Sequence, residues 1–229
     1  MQLSTEAKFV HCGVKADEAL MWLEHICLPD ADYPQNTIHS IYFDQLRLPA
    51  LAEKLNGDYL KSKYRLRWYE NRDSSGRAEC AAYLENKVKI GGGRAKVRCK
   101  RTFPHKWLGD IRLDDACLLQ VCREMSATLP QPLAFALQPV IHIQYHRRRF
   151  ACPFSNARVC LDTRIQAPRV NPHLFPAMDG PRLDVAVLEV KGQPVERLPW
   201  MSAIYRVGFR QRSFSKFGAC LSAALRLVN

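Results

Sequence analysis

The sequence holds no Cys-x-x-Cys pair, no run of about 18 apolar residues, and only 22 acidic residues against 34 basic ones. Each shortage excludes something. The nine cysteines, at 12, 27, 80, 99, 117, 122, 152, 160 and 220, lack the paired spacing of a structural zinc site. Their odd number suits reduced thiols, most of them small core fillers beside apolar neighbours, and a reducing cytoplasm is the expected compartment. Without a long apolar run, no membrane-spanning helix is expected. The opening Met1-Gln2-Leu3-Ser4-Thr5-Glu6 has neither a basic nor an apolar leader region, so no signal peptide is expected. Gly91-Gly92-Gly93 is not followed by Gly-Lys-Ser/Thr and reads as a hairpin turn, not a phosphate loop. Ser213 and Ser215 lie in no Gly-x-Ser-x-Gly elbow and read as caps of the last helix. Trp68, Tyr69, Trp107 and Trp200 have no RNP-like surroundings and read as packing, so nucleic acid is not the expected partner. The shortage of acid leaves a formal charge of +12, which favours a partner carrying negative charge.

The basic residues that are present are patterned. Lys63, Arg65 and Arg67 alternate with Tyr64, Leu66 and Trp68; Glu85, Lys87 and Lys89 alternate in the next segment; Lys96, Arg98 and Lys100 follow; Glu189 and Lys191 repeat the spacing late in the chain. In a β-strand, residues two apart share a face. A sheet keeping these faces on one side collects about ten cations and two carboxylates. Cations at that density require water or a polyanion, because buried unpaired charges are expensive. The inferred arrangement is a wet, cationic interior with apolar strand faces packed outward on helices. Arginines there make bidentate contacts to phosphoryl oxygens and lysines act as point charges. Glu85 and Glu189 either neutralise neighbouring lysines or hold a divalent metal that bridges phosphates.

Periodicity predicts strands at about 3–11, 37–43, 61–70, 79–90, 94–102, 138–150, 157–165 and 184–191. It predicts helices at about 15–27, 46–55, 113–129, 196–207 and 215–227, with an irregular stretch at 166–182. No linker or repeat stands out, so residues 1–229 are expected to form a single domain. The expected fold is α+β: a closed or nearly closed antiparallel barrel of about eight strands with flanking helices.

The order of the motifs resembles a known family. The chain is similar to the VTC domain, the polyphosphate polymerase domain of the vacuolar transporter chaperone complex and its bacterial relatives, within the CYTH-like triphosphate tunnel superfamily. Thr5-Glu6-Ala7-Lys8-Phe9-Val10 resembles the family's first tunnel strand, and the resemblance gives Lys8 a phosphate and Glu6 a place near the metal. Ile41-Tyr42-Phe43-Asp44 is similar to its Tyr-Phe-Asp segment. Tyr64-Arg65-Leu66-Arg67-Trp68-Tyr69 matches its Arg-x-Arg-Trp-Tyr strand, and Leu84-Glu85-Asn86-Lys87 its Glu-x-Lys strand. Tyr145-His146-Arg147 fits a Tyr-x-Arg strand, Arg158 through Asp162 the next, and Leu188-Glu189-Val190-Lys191 the metal-binding strand. Ser213-Phe214-Ser215-Lys216-Phe217 is similar to the closing signature, with Phe217 where the family has Tyr.

The resemblance implies a phosphotransferase using Mn²⁺ or Mg²⁺, with ATP or another nucleoside triphosphate and inorganic polyphosphate or pyrophosphate as partners. The implied catalytic residues are Arg65, Arg67, Lys87, Arg147 and Lys191. Lys8, Lys63, Lys89, Lys96, Arg98, Arg148, Arg158 and Lys216 are the implied phosphate contacts, and Glu189, Glu85 and Glu6 the implied metal ligands. Ser4 stands where the wider superfamily has an acid, which leaves fewer carboxylates on the first strand. A triphosphate hydrolase and a non-catalytic polyanion-binding module remain as alternatives. One conflict is internal: strict alternation over 140–150 puts His142, Gln144, His146 and Arg148 on the charged face, whereas the resemblance selects Arg147; either a β-bulge reconciles the two or Arg148 takes the role.

Overall fold

A computed structural model describes residues 6–13, 16–70, 78–90, 93–176, 179–192, 198 and 200–228. The strands are β1 (Glu6–Cys12), β2 (Leu28–Pro29), β3 (Gln35–Asp44), β4 (Leu60–Glu70), β5 (Glu79–Ile90), β6 (Gly93–Pro104), β7 (Gln138–Ala151), β8 (Arg158–Val170), β9 (Arg182–Leu183), β10 (Val185–Lys191) and β11 (Arg210–Gln211). The helices are α1 (Ala16–Ile26), α2 (Pro49–Asn56), α3 (His105–Asp110), α4 (Ala116–Ser126), α5 (Met201–Arg206) and α6 (Lys216–Val228). The expected segment 71–76 and the first residues of the chain lie outside the described residues.

The class is α+β, as expected, but the barrel is not. The hydrogen-bonded order is an open path, β11-β1-β10-β8-β7-β3-β4-β5-β6, with β2 on β7 and β9 on β8, eleven strands among the described residues. Eight of them are at least seven residues long, and β2, β9 and β11 have two each. The path ends on β11 at one side. A two-residue strand offers too few backbone groups to carry a further ladder, and a short strand is one of the ways natural sheets blunt an edge. The other corrections are local. Residues 166–170, expected to be irregular, extend β8, and α3 was not expected.

The chain divides into two compact units. The first comprises Met1–Thr37, Tyr145–Ile165 and Arg182–Ser215; the second comprises Ile38–Gln144, Gln166–Pro181 and Lys216–Asn229. In the first unit, β1 pairs with β10 and β10 with β8, both antiparallel. One face of these strands, Phe9, Leu188, Val190, Val159 and Leu161, forms a core with Ala19 and Leu23 of α1 and with Trp200 and Ile204. In the second unit, β4, β5 and β6 form an antiparallel meander. Its apolar face, Tyr64, Leu66, Trp68, Ala82 and Leu84, packs on Leu108 of α3 and on Leu118, Cys122 and Met125 of α4. The sequence dictates this helix-covered side, because alternate strand positions are apolar.

Two local devices set the helix ends of the second unit. Asp44, fully buried at the end of β3, accepts the backbone N–H groups of Gln45, Ala50 and Leu51 and so caps α2, whose own N-cap Leu48 has no side-chain acceptor. Gly57 closes α2 at φ 80, a conformation that suits only glycine without strain.

Candidate phosphate-binding faces

In an antiparallel pair, residues directly opposite each other share a face, so the registers place the charged side chains. In the first unit they form three rows: Glu6, Lys191 and Arg158; Lys8, Glu189 and Cys160; Val10, Val187 and Asp162. Glu189 is 5% exposed and Asp162 is fully buried. Arg147 of β7 joins them. Its guanidinium donates to both oxygens of Asp162, at 2.6 and 2.6 Å, and to Glu189 Oε2 at 2.8 Å. Burial opposes the guanidinium charge, but Asp162, Tyr145 and Glu189 outweigh it and hold Arg147 protonated well above the ordinary arginine range. Lys8 Nζ stands 3.4 Å from Glu189 Oε1 and 3.7 Å from Glu6 Oε1, and donates to the carbonyl of Phe214 at 3.2 Å.

The conflict on β7 resolves without a bulge having to be invoked. Arg147 shares the carboxylate side of the sheet, whereas Arg148 points to Glu24 on α1, 3.9 Å away. The even-numbered positions 142, 148 and 150 face the helix-covered side, so the polar stripe expected there runs on the wrong parity. His142 is 3% exposed and hydrogen-bonded, and Phe150 lies in the core. Local alternation misled because His142 is held in a buried hydrogen-bonded network and Arg148, half-exposed, pairs with a helix carboxylate.

In the second unit the rows are Lys61 with Lys89; Lys63, Lys87 and Lys96; Arg65, Glu85 and Arg98; and Arg67, Tyr83 and Lys100. A row of three lysines beside a row of two arginines and one carboxylate is unfavourable unless an anion or a neutraliser is present. Glu85, 1% exposed, is the neutraliser. Arg65 Nε and Nη2 reach its Oε2 at 2.7 and 2.6 Å, and Lys96 pairs with Oε1. Burial raises the Glu85 carboxyl, but Arg65, Arg67 and Lys96 overcome it and set its pKa at about 2. Both oxygens of Glu85 are thus engaged by cations. Arg67 Nε donates to Ser40 Oγ at 3.0 Å, and Arg98 lies over the Tyr83 ring, 5.1 Å from its centroid. Lys63 stands 5.0 Å over the ring of Phe217, which packs on Tyr42 with ring centroids 5.1 Å apart. Lys216, at the start of α6, is 9% exposed.

Sequence reasoning passed over three residues here. Asp162 has the parity of Arg158, two strand steps away, which was the available signal. Ser40 and Tyr42 share the parity of a charged face but carry no charge themselves. Tyr42 accepts from Arg65 Nη1 at 3.4 Å. Burial raises its phenol, yet Arg65, Arg67 and Lys63 together bring it down to about 8. Ultraviolet titration of the folded protein is expected to show one of its eight tyrosines ionising about two units earlier than an ordinary phenol. Tyr42→Phe removes that step, and its survival in the variant overturns the assignment.

The fit to a divalent metal can be tested on the donor set. Mg²⁺-type sites take one or two protein carboxylates, with waters and substrate phosphates completing the shell. Glu6 and Glu189 come nearest to that description: Arg147 takes Glu189 Oε2, but Glu189 Oε1 lies 3.4 Å and Glu6 Oε1 3.7 Å from the same Lys8 ammonium, so a metal displacing that ammonium would meet one oxygen of each carboxylate. No group of three or more metal-ligating side chains occurs among the described residues. Glu85 does not fit, because its oxygens are taken by Arg65 and Lys96. No helix among the described residues is long and apolar enough to cross a membrane.

Comparison with known proteins bears on both fold and family. A candidate adenylate cyclase from Vibrio parahaemolyticus superposes with a TM-score of 0.51 at 10% identity, covering 96% of this chain and 98% of that one, and so shares the fold. A candidate adenylate cyclase from Bacillus halodurans gives 0.47 at 11% identity, covering 94% of each chain. No curated protein matches by sequence. The sequence matches the VTC domain over residues 11–225. That span takes in the Arg65–Arg67 strand, the Glu85–Lys87 strand, Arg147 and Glu189, and the chain belongs to the VTC domain family.

Proposed function

We propose that this chain is a metal-dependent phosphotransferase that builds polyphosphate from ATP or another nucleoside triphosphate. The single observation that carries the reading is the direct opposition of Lys63, Lys87 and Lys96 beside Arg65 and Arg67 on one sheet face. Repelling charges in that register are a cost in folding and an asset in binding a chain of phosphates. Membership of the VTC domain family supports the same conclusion.

In this reading Arg65 and Arg67 grip phosphoryl oxygens with their planar forks, and Lys63, Lys87, Lys89, Lys96 and Arg98 extend the cationic track. On the first unit Lys8, Lys191 and Arg158 supply phosphate contacts, and on the second Lys216 adds one. Glu85 orients Arg65 by holding its guanidinium edge. Arg147 and Asp162 act as positioning residues that aim Glu189. Glu6 and Glu189 would hold Mn²⁺ or Mg²⁺. When bound, that ion neutralises phosphoryl oxygens and so eases the charge shift of transfer. An oxygen of phosphate or of the growing chain attacks the γ-phosphorus. The bond from that phosphorus to the β-bridging oxygen breaks, its electron pair leaves with the nucleoside diphosphate, and no covalent enzyme intermediate is needed.

The test is incubation of purified protein with ATP and Mn²⁺, followed by separate assays for chain product and for released phosphate. Polyphosphate is expected, with kcat/KM falling about 100-fold in Arg65→Ala. Released phosphate without chain product points to the hydrolase alternative. Binding of tripolyphosphate without turnover points to a polyanion-binding module.

A further inference from the structure

The second unit contains a polar line that the proposed chemistry does not use. It lies on the helix-covered side of β3 and β4, opposite the cationic face. Arg169 Nε donates to Nδ1 of His142 at 3.2 Å, and its other nitrogens donate to the carbonyls of Leu108, at 2.8 Å, and Ile111. A guanidinium can only donate, so Nδ1 of His142 must be the acceptor and its proton sits on Nε2. That Nε2 faces Nδ1 of His39 at 3.1 Å. His39 Nδ1 is therefore an acceptor too, and its proton sits on Nε2, 3.2 Å from Glu70 Oε2. This last contact lies off the hydrogen-bond line and is the weakest link of the chain. His105 Nε2 stands 3.1 Å from the other Glu70 oxygen. The ring of Trp68 is stacked against both imidazoles, with centroids 4.9 Å from His39 and 5.1 Å from His142.

The line has a direction. A cation stands at one end, a carboxylate at the other, and two neutral imidazoles pass the polarity between them. Protonating His142 sets an N–H against Arg169; protonating His39 sets one against His142. The titratable and charged groups around the two rings are Glu70 on β4, His105 on α3 and Arg169 on β8. Burial and then the Arg169 charge hold His142 well below the ordinary histidine range. Glu70 is held low by His39 and His105, against its burial.

The same strands are joined on their other face. His39 is followed by Ser40 and Trp68 is preceded by Arg67, and Arg67 donates to Ser40. We propose that His39 and His142, locked as neutral Nε2–H tautomers between Arg169 and Glu70, are positioning residues that hold β3 and β4 in the register at which Arg67 is presented to an anion. The proposal rests on the preceding functional reading only in taking phosphate as the ligand of Arg67.

Two measurements test it. Long-range proton–nitrogen NMR of ¹⁵N-histidine protein, assigned with His39→Asn and His142→Leu, is expected to show two of the seven histidines as Nε2–H tautomers. His142 should remain neutral at pH 6, where an ordinary histidine is more than half protonated. A Nδ1–H tautomer at either ring, or ordinary titration of His142, overturns the proposal, and this arm needs no variant to bind or turn over anything. Calorimetry with inorganic tripolyphosphate is expected to show an affinity loss of about tenfold in His142→Leu, with no such loss in the His25→Leu control. In an Arg67→Ala background the His142→Leu loss is expected to disappear. Unaltered affinity in folded His142→Leu overturns the positioning role. Unaltered affinity in Arg67→Ala, with the NMR result as expected, instead removes Arg67 from the phosphate site and leaves the tautomer lock standing.

Discussion

Arg147→Ala is expected to lower folding stability by about 3–5 kcal/mol, the largest effect of any single substitution considered for this chain. The guanidinium lies between Asp162 and Glu189 and satisfies both, at 2.6 to 2.8 Å. Removing it takes the bidentate partner from a fully buried carboxylate, and from Glu189, 5% exposed, it takes the contact to Oε2 while Lys8 stays 3.4 Å from Oε1. Neither can move to water without unpacking β8 or β10. Chemical denaturation of wild type and variant checks the figure. The deficit should shrink as pH falls, because protonating a buried carboxylate that has lost its guanidinium removes the charge that burial penalises. A paired change, Arg147→Met with Asp162→Leu, should recover much of the loss, since replacing a whole buried ion pair with apolar groups is often nearly neutral. A deficit below about 1 kcal/mol in Arg147→Ala shows that the cluster is solvated and refutes the account.

Stability between pH 2 and 4.5 is expected to be governed largely by Glu85. Its carboxyl falls from an ordinary 4.5 to about 2 when the chain folds. The direction follows from linkage. A lowered folded-state value contributes stability that is fully present above the unfolded value and is lost as pH falls toward the folded one. The contribution is on the order of 3 kcal/mol. Glu85→Gln should therefore be less stable than wild type at pH 6 and should show a flatter dependence over this acid window. Acid titration of the unfolding midpoint for both proteins measures this. Equal slopes in the two would mean that Arg65 and Lys96 pair with Glu85 only loosely. The same variant should also weaken phosphate binding, because Arg65 loses the partner that holds its Nε and Nη2 edge.

The charged faces were legible because strand side chains repeat every second residue and because arginine and lysine are unambiguous. Lys63, Arg65 and Arg67 share a face for that reason, and so do Glu85, Lys87 and Lys89. The helices were legible to within a turn, except α5, which starts five residues later than expected, and α3, whose six residues are too few to show a period. Two kinds of feature were not legible. A buried polar residue such as His142 mimics a surface residue in sequence, and Arg148, whose side chain is 40% exposed, reaches Glu24 on the helix side, so their stripe was read as facing the charges when it faces the helices. Partnerships across long separations also leave no local trace. Arg147 and Glu189 are 42 residues apart, and His39 and His142 are 103 apart.

The alternation of basic and apolar residues alone determined that this chain forms cationic strand faces suited to phosphate, since side-chain parity is a property of the backbone. Which cations are spent on carboxylates was decided only by tertiary structure. Arg147 is committed to Asp162 and Glu189, and Arg65 to Glu85, because register brings those side chains within hydrogen-bonding distance. The strand number and the open sheet order were settled there too, because pairing depends on which edges remain available once the cores have formed.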